Sequence, residues 1–232
     1  MSSLLLIRHG QAGATTANYD ELSPLGHAQA ARLGEWLAAH RREFGAVYVG
    51  RLKRQQQTLA GIAGAYAAAG QALPTAEDLA ELDEYRFVDL VRSFAASDPK
   101  NPDLLHWMAH PDDRAHWPAL LRATLLAWAA GEIGGIEEDY AAFRARIRRA
   151  REKIEARMAQ GPVLAVTSAG VISHFLQSVL GMPTDATIDI NLGIANTALS
   201  EYRLTRLGLK LATLNALPHL SAPGDAGMIT LV

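Results

Sequence analysis

The sequence contains no cysteine among its 232 residues. Disulfide bonds, thiolate metal sites and a cysteine nucleophile are therefore excluded together. The net charge at pH 7 is only −2, so no global field recruits nucleic acid or an anionic membrane surface. No apolar run approaches the roughly 18 residues of a membrane-spanning helix, and the first residues lack the pattern of a signal peptide. We expect a cytoplasmic protein with no nucleic-acid or membrane partner.

Short apolar runs alternate with helical patterns along a chain of ordinary globular composition, 49% hydrophobic and 20% charged. This alternation is typical of a parallel sheet in an α/β protein. Two later runs that alternate like strands, separated by a turn at 206–208, predict an antiparallel hairpin. The predicted strands are 4–7, 46–50, a run within 161–170, 195–205 and 210–215.

Several helices have recognisable ends. Ser23 followed by Pro24 predicts a helix start, with the serine as N-cap and the proline in the first turn. Gly45 is the expected terminator of that helix, and Gly181 that of a helix over 171–180. Further helices are predicted from the second strand to about residue 70, over 120–128 and over 137–160.

The alternation breaks between about residues 76 and 135. We expect one domain over 1–232 with a mainly helical insertion there, packed over one end of the sheet. Its histidines at 106, 110 and 116 are irregularly spaced, so surface or interface histidines are favoured over a metal site. The insertion is rich in tryptophan and proline, which is compatible with a lid and with a homodimer contact.

The helix predicted over 137–160 carries many basic residues. A nucleic-acid surface is one interpretation of such a run. Glu152 and Glu155 lie on the same turns as the basic residues, and the whole chain is not basic. A solvated helix face is therefore the favoured interpretation.

Three predicted strands end in residues that suit an anionic ligand. Arg8 and His9 follow the first strand, Arg54 lies just past the second, and Ser168 opens a helix after the third. Taken alone, Arg8-His9-Gly10 is explained more readily by an ion pair of Arg8 and a strand end at His9, because short motifs recur by chance. If the strand ends share one sheet edge, however, guanidinium groups, an imidazole and a helix N-terminus meet in one crevice. That combination suits phosphoryl transfer.

Five segments in this order resemble the histidine phosphatase, or phosphoglycerate mutase-like, superfamily. The resemblance covers most of the chain outside the insertion, and it implies a three-layer α/β/α sandwich whose mostly parallel sheet has an antiparallel edge. The segments are Leu6-Ile-Arg-His-Gly-Gln11, Leu22-Ser-Pro-Leu-Gly-His-Ala-Gln-Ala30, Leu52-Lys-Arg-Gln-Gln-Gln-Thr58, Glu138-Asp-Tyr-Ala-Ala-Phe-Arg-Ala-Arg146 and Val163 to Ile172.

The resemblance also implies roles for individual residues. His9 would attack phosphorus and become a phosphohistidine that water cleaves, without a metal or another cofactor. Arg8 and Arg54 would hold the phosphoryl oxygens of a small phosphorylated substrate, and Gln11 would order the pocket.

The proton donor implied by the resemblance is a glutamate in a Leu-x-Glu context. Both Glu81 and Glu84 qualify. We favour Glu84, because the neighbouring Tyr85 and Phe87 would raise the pKa of its carboxyl group. The alternative is that both glutamates lie on a solvated helix face.

Two departures from the family pattern bear on activity. Ser168 stands where most relatives have a second pocket histidine, and losing one such donor typically costs about 10²–10³ in rate. Ser168 with the adjacent backbone N–H groups is one candidate to replace that histidine, and His174 or His219 is another. The third outcome is a pocket that binds phosphate but turns over slowly.

In the loop over 13–20, Thr15 stands where many relatives have asparagine and Asn18 follows, so this loop is expected to influence substrate preference.

The leading functional prediction is a phosphomonoesterase acting on a small phosphorylated metabolite. A catalytically weak or inactive phospho-ligand-binding or regulatory protein is the alternative from another class. A mutase of the phosphoglycerate type is less favoured. It must retain and return the phosphoryl group, and a pocket weakened by the loss of the second histidine argues against that. Retention of both His9 and Glu84 favours an enzyme, since a binding protein needs neither nucleophile nor acid.

Overall fold

A mixed β-sheet forms the middle layer of the structure. The computed structural model describes residues 2–13, 20–110, 113 and 115–231. Within these residues the sheet has six strands in the order β3-β2-β4-β1-β5-β6. Strands β1 to β4 run parallel, and β5 and β6 form the antiparallel edge. The strands are β1 Ser3–Arg8, β2 Ala46–Val49, β3 Ala76–Asp78, β4 Val163–Thr167, β5 Leu199–Thr205 and β6 Gly208–Ala216.

Helices cover both faces of this sheet, which confirms the three-layer α/β/α architecture. Eight α-helices lie within the described residues, together with three short 3-10 helices at 80–82, 218–220 and 223–228. None of the described helices is long and apolar enough to cross a membrane. The α-helices are α1 Pro24–Ala39, α2 Lys53–Ala68, α3 Phe87–Ser97, α4 Pro102–Ala109, α5 Trp117–Ala130, α6 Tyr140–Met158, α7 Ala169–Leu180 and α8 Thr184–Gly193.

The apolar residues of each strand are shared between two cores. Successive side chains of a strand point to opposite faces, so β1 contributes Leu5 and Ile7 to one core and Leu4 and Leu6 to the other. Helices α1 and α2 cover the first core, whereas α6 and α7 cover the second. Burial on both faces explains the uninterrupted aliphatic sequence of β1.

The predicted helix ends are confirmed at two positions and wrong at one. The Ser23 hydroxyl accepts from the Gly26 amide at 3.0 Å and caps α1. Gly181 ends α7 in the left-handed conformation, with φ of 70°. Gly45 does not terminate α1, because the helix already ends at Ala39 and Arg41 adopts a φ of 48°.

One strand and one α-helix were not predicted, and the fifth strand is shorter than expected. Residues 76–78, assigned to the helical insertion, form β3 instead, and three exposed residues are too few to show strand alternation. Helix α8 follows Pro183 and packs on α5 and α7, although its β-branched residues weaken a helical pattern. The strand predicted from residue 195 begins at Leu199.

Two of the three insertion histidines pair with carboxylates. His106 contacts Asp113, and His116 contacts Asp103, each at 2.9 Å and each partly exposed. In the described part of the chain, no group of histidine, aspartate and glutamate residues is arranged to hold a metal ion.

The basic face of α6 is interleaved with acidic partners. Arg151 pairs with Glu155 at 2.5 Å, and Lys153 pairs with Glu81 at 2.7 Å. Ion pairs of this kind are typical of a solvated helix face.

We predict that Ile62→Ala destabilises the protein by about 2–5 kcal/mol, because it opens a cavity in a fully buried side-chain site between α2 and the sheet. Leu207→Ala is the matched control, since its side chain is 83% exposed. Urea unfolding should show a lower midpoint for Ile62→Ala with an unchanged m-value. Equal midpoints for the two variants would contradict this assignment of the core.

Candidate active site

The site lies at the carboxyl ends of the two central strands. Arg8 at the end of β1 stands opposite Thr167 at the end of β4. Strand β2 is the other neighbour of β4. Helix α2 begins four residues after β2 ends and brings Arg54 to the same edge of the sheet. The predicted meeting of Arg8, His9, Arg54 and Ser168 at one edge is therefore what the structure shows.

The His9 imidazole is held with its lone pair directed at Arg54. Its Nδ1 lies 2.7 Å from the Gly10 carbonyl oxygen, which requires the proton on Nδ1. Its Nε2 then accepts from Arg54 Nε at 3.2 Å. Burial, followed by the charges of Arg54 and Arg8, holds the pKa of His9 well below its usual range. The imidazole is therefore neutral at pH 7, with an unprotonated Nε2.

Both guanidinium groups are nearly enclosed by protein. Arg8 is 8% exposed and Arg54 is 6% exposed. Arg54 Nη1 donates to Asp20 at 3.0 Å, and Arg8 Nη1 donates to the backbone carbonyls of Ile194 and Leu231. The site thus concentrates positive charge at the end of β1, in surroundings where water screens it little.

The loop after β1 is fixed by two side chains on α1 and α2. The Gly10 amide donates to Thr58 Oγ1 at 3.0 Å, and that hydroxyl donates to the Arg54 carbonyl at 2.7 Å. The Gln11 amide donates to Gln29 Oε1 at 2.8 Å. Neither Thr58 nor Gln29 was predicted as a site residue, although each is a polar residue on an otherwise buried helix face.

The Gln11 side chain is directed at the start of α1. Its Oε1 accepts from the Ser23 hydroxyl at 2.7 Å. Among the described residues it makes no hydrogen bond to Arg8, His9 or Arg54. Its contacts hold the loop and the helix cap together.

Glu84 lies at the N-terminus of α7, beside the site. Its Oε2 accepts from the Gly170 amide at 3.0 Å. Withdrawal from water raises the pKa of this carboxyl group, and the Gly170 amide and the two arginines oppose that rise. Gly170 is required for this approach, because a Cβ there would lie 2.3 Å from Glu84 Oε1.

The second glutamate lies elsewhere, whereas the Tyr85 ring lies close to Glu84. A Cβ at Gly170 would be 2.3 Å from both Tyr85 Cε1 and Glu84 Oε1. Glu81 pairs with Lys153 on the outside of α6, and this hydrogen bond lowers the pKa of Glu81. Tyr85 packs against Trp128 with ring centroids 5.4 Å apart, and Phe87 packs against Trp117. Both rings contact aromatic side chains of the insertion, and withdrawal from water is the main cause of the raised Glu84 pKa.

Ser168 is fully buried at the N-cap of α7. Its hydroxyl oxygen accepts from Gln55 Nε2 at 2.8 Å, and the same amide donates to the Leu82 carbonyl at 3.1 Å. Since Gln55 supplies the donor to this oxygen, the serine's own proton is left for another acceptor. Gln55 was not predicted as a site residue, and its adjacency to Arg54 was the only signal.

The two substitute histidines are engaged away from the His9 imidazole. His174 Nδ1 donates to the Gly170 carbonyl at 2.7 Å, while its Nε2 lies 3.1 Å from the Tyr140 hydroxyl. His219 Nε2 lies 2.9 Å from the Thr197 hydroxyl. Burial lowers the pKa of each imidazole to about 4. The loop positions Thr15 and Asn18 lie outside the described residues.

A family model and solved structures resemble this chain. The sequence model of the histidine phosphatase superfamily (branch 1) matches residues 4–217. No curated protein matches the chain significantly in sequence.

Three solved structures illustrate the likeness. The alpha-ribazole phosphatase of Shigella flexneri is 21% identical, with 92% of this chain and 96% of that chain covered and a TM-score of 0.61. The phosphoglycerate mutase of Bacillus anthracis is 17% identical, with 94% of both chains covered and a TM-score of 0.64. A mycobacterial glucosyl-3-phosphoglycerate phosphatase, solved with inorganic phosphate, is 20% identical, with 95% of this chain and 100% of that chain covered and a TM-score of 0.62. At these identities the likeness establishes the fold.

We predict that acid destabilises the folded protein through its buried histidines. The pKa of His174 falls from 6.5 to about 4 on folding, so the unfolded chain binds a proton between these pH values that the folded chain does not. The free energy of unfolding therefore decreases as the pH falls from 6.5 to 4. His174→Gln should make this decrease shallower by about 1.4 kcal/mol per pH unit.

Urea unfolding at several pH values measures this slope. His27→Gln, which removes an exposed imidazole, is the control. An unchanged slope in His174→Gln would show that His174 is protonated in the folded protein.

Proposed function

Because the chain belongs to the histidine phosphatase superfamily, we propose that it is a phosphomonoesterase that acts on a small phosphorylated metabolite through a phosphohistidine at His9. The observation that carries this proposal is the neutral imidazole, whose unprotonated Nε2 lies 3.2 Å from Arg54 Nε. A nucleophilic nitrogen beside two guanidinium groups is suited to a phosphoryl dianion.

In the first step, Arg8 and Arg54 donate to the phosphoryl oxygens, and the Arg54 Nε–H turns from His9 Nε2 to one of these oxygens. The freed lone pair of Nε2 attacks phosphorus. The bond from phosphorus to the ester oxygen breaks, and the departing oxygen takes the proton of the Glu84 carboxyl group. The imidazole becomes positively charged when its Nε2 bonds to phosphorus. The Gly10 carbonyl, which accepts from Nδ1 at 2.7 Å, stabilises that charge.

In the second step, water cleaves the phosphohistidine. The Glu84 carboxylate takes a proton from the attacking water, and the nitrogen–phosphorus bond breaks to release inorganic phosphate. The raised pKa of Glu84 supports both halves of this cycle, because the group must be protonated in one step and ionised in the next. A mycobacterial phosphatase of the same fold is known with inorganic phosphate.

Ser168 serves in this proposal as a neutral donor to the phosphoryl group. Gln55 holds its oxygen, which directs the hydroxyl proton toward a ligand at the start of α7. The helix N-terminus adds its own partial positive charge. A serine supplies no full charge, so the chemical step should be slower than in a pocket that has a histidine at this position.

We predict that His9→Ala abolishes turnover and leaves the fold intact, since the residue lies just beyond the end of β1. Wild-type protein mixed briefly with a ³²P-labelled phosphomonoester and quenched in alkali should carry an acid-labile phosphohistidine that the variant lacks. The exposed His27→Ala is the control and should label like the wild type. Turnover that persists in His9→Ala, or a wild type that binds phosphate but hydrolyses no ester, would overturn the proposal.

We predict that Glu84→Gln lowers kcat/KM for an alkyl phosphate by about 10²–10⁴. 4-Nitrophenyl phosphate should be affected less, because its leaving group departs without a proton. Glu81→Gln is the matched control and should lose only the surface pair with Lys153. Initial rates of the three proteins on both esters test this, and equal losses on the two esters, or a loss in Glu81→Gln, would exclude Glu84 as the acid.

A further inference from the structure

His9 lies beyond the paired part of β1. Pairing of β1 ends at Arg8 on the β4 side and at Ile7 on the β5 side. The His9 amide still donates to the Thr167 carbonyl at 2.9 Å. The carbonyls of Arg8 and His9, however, are held by a different segment, the two residues 196–197 that precede β5. We name these two residues the 196–197 turn.

The 196–197 turn supplies the donors to both carbonyls. The Thr197 amide lies 3.1 Å from the Arg8 carbonyl oxygen and 3.3 Å from that of His9. The Asn196 side chain donates from Nδ2 to the same His9 oxygen at 3.1 Å. Both residues are almost completely buried, at 2% and 0% exposure. The 196–197 turn thus holds two consecutive carbonyl groups, those of Arg8 and His9.

Thr197 adopts an unfavourable backbone conformation to do this. Its φ is 58°, in the left-handed region that β-branched residues rarely enter. Such a conformation persists only where surrounding contacts determine it, and it is concentrated at functional sites. Here the surrounding contacts are the hydrogen bonds to Arg8 and His9, together with hydrogen bonds from the C-terminal residues 218–231.

The C-terminal segment 218–231 secures the turn from the other side. The Asn196 amide donates to the Thr230 carbonyl at 2.8 Å, and the Thr230 hydroxyl donates to Asn196 Oδ1 at 2.9 Å. The Thr197 hydroxyl donates to the Asn196 carbonyl at 2.7 Å and accepts from His219 Nε2 at 2.9 Å. Side-chain bonds therefore fix both residues of the turn.

We propose that Asn196 and Thr197 are positioning residues that hold the nucleophile His9 in its reactive orientation. The proposal rests on the proposed role of His9 as nucleophile. Neither residue is assigned a contact with the substrate, and each acts through the main chain of Arg8 and His9. Displacing a reacting group by about 1 Å can lower a rate 10²-fold, so loosening this peptide should lower kcat.

The test compares Asn196→Ala with a matched asparagine. Like the side chain of Asn196, the side chain of Asn215 bonds main-chain groups, those of Ala195 and Gly193, each at 2.8 Å. It makes no hydrogen bond to Arg8 or His9 among the described residues. We expect Asn196→Ala to lower kcat about 10²-fold with KM changed less than threefold, and Asn215→Ala to retain the wild-type kcat.

A spectroscopic measurement tests positioning without relying on turnover. The ¹⁵N resonances of the His9 imidazole, assigned by comparison with His9→Ala, should show one unprotonated Nε2 state in the wild type. We expect Asn196→Ala to shift or broaden these resonances and Asn215→Ala to leave them unchanged. If the protein hydrolysed no ester but showed this difference, the proposed function would fail, while the finding that the 196–197 turn orients the His9 imidazole would stand.

Thr197→Gly is the second variant, because glycine accepts the left-handed backbone and removes only the side chain bonded to His219. It should fold and show a smaller loss of kcat than Asn196→Ala. Thermal unfolding of every variant separates stability from activity. The proposal is overturned if Asn196→Ala folds with the kcat and the His9 resonances of the wild type, or if Asn215→Ala changes them equally.

Discussion

Keeping one imidazole neutral near two buried guanidinium groups is the constraint on which the site depends. Burying cations is costly unless acceptors surround them. The fold supplies acceptors from distant parts of the chain: Asp20 for Arg54, and the carbonyls of Ile194 and Leu231 for Arg8. Burial, and after it the same two charges, lower the pKa of His9, so the enclosure that makes the cations costly also keeps the imidazole unprotonated.

The parts of this arrangement that could be predicted are those encoded locally. A buried strand followed by Arg8 and His9, and a helix that begins near Arg54, can each be recognised within about ten residues. Topology then brings them together, because the carboxyl ends of neighbouring parallel strands meet at one edge. The aromatic neighbours of Glu84 favour it over Glu81 in the sequence, whereas its contact with α7 depends on the topology, which the sequence leaves open.

The parts that could not be predicted depend on long-range contacts or weak local signals. The Asn196 side chain meets the His9 carbonyl across 187 positions of sequence, and no periodicity marks such a pair. Strand β3 is too short for alternation to be visible, and α8 contains β-branched residues that favour strands. In each case the packing of the whole molecule overrides the local preference.

The bonds of the C-terminal segment have a consequence for how activity can be lost. The turn that holds His9, the proposed nucleophile, depends on a few hydrogen bonds from a segment of loop and short 3-10 helices, whereas the sheet is held by long strand ladders and two cores. Local openings of such peripheral segments require less free energy than global unfolding. Such an opening releases the main chain at His9 while the rest of the protein stays native. The free energy of unfolding and the free energy that keeps the proposed active site ordered are therefore separate properties of this molecule.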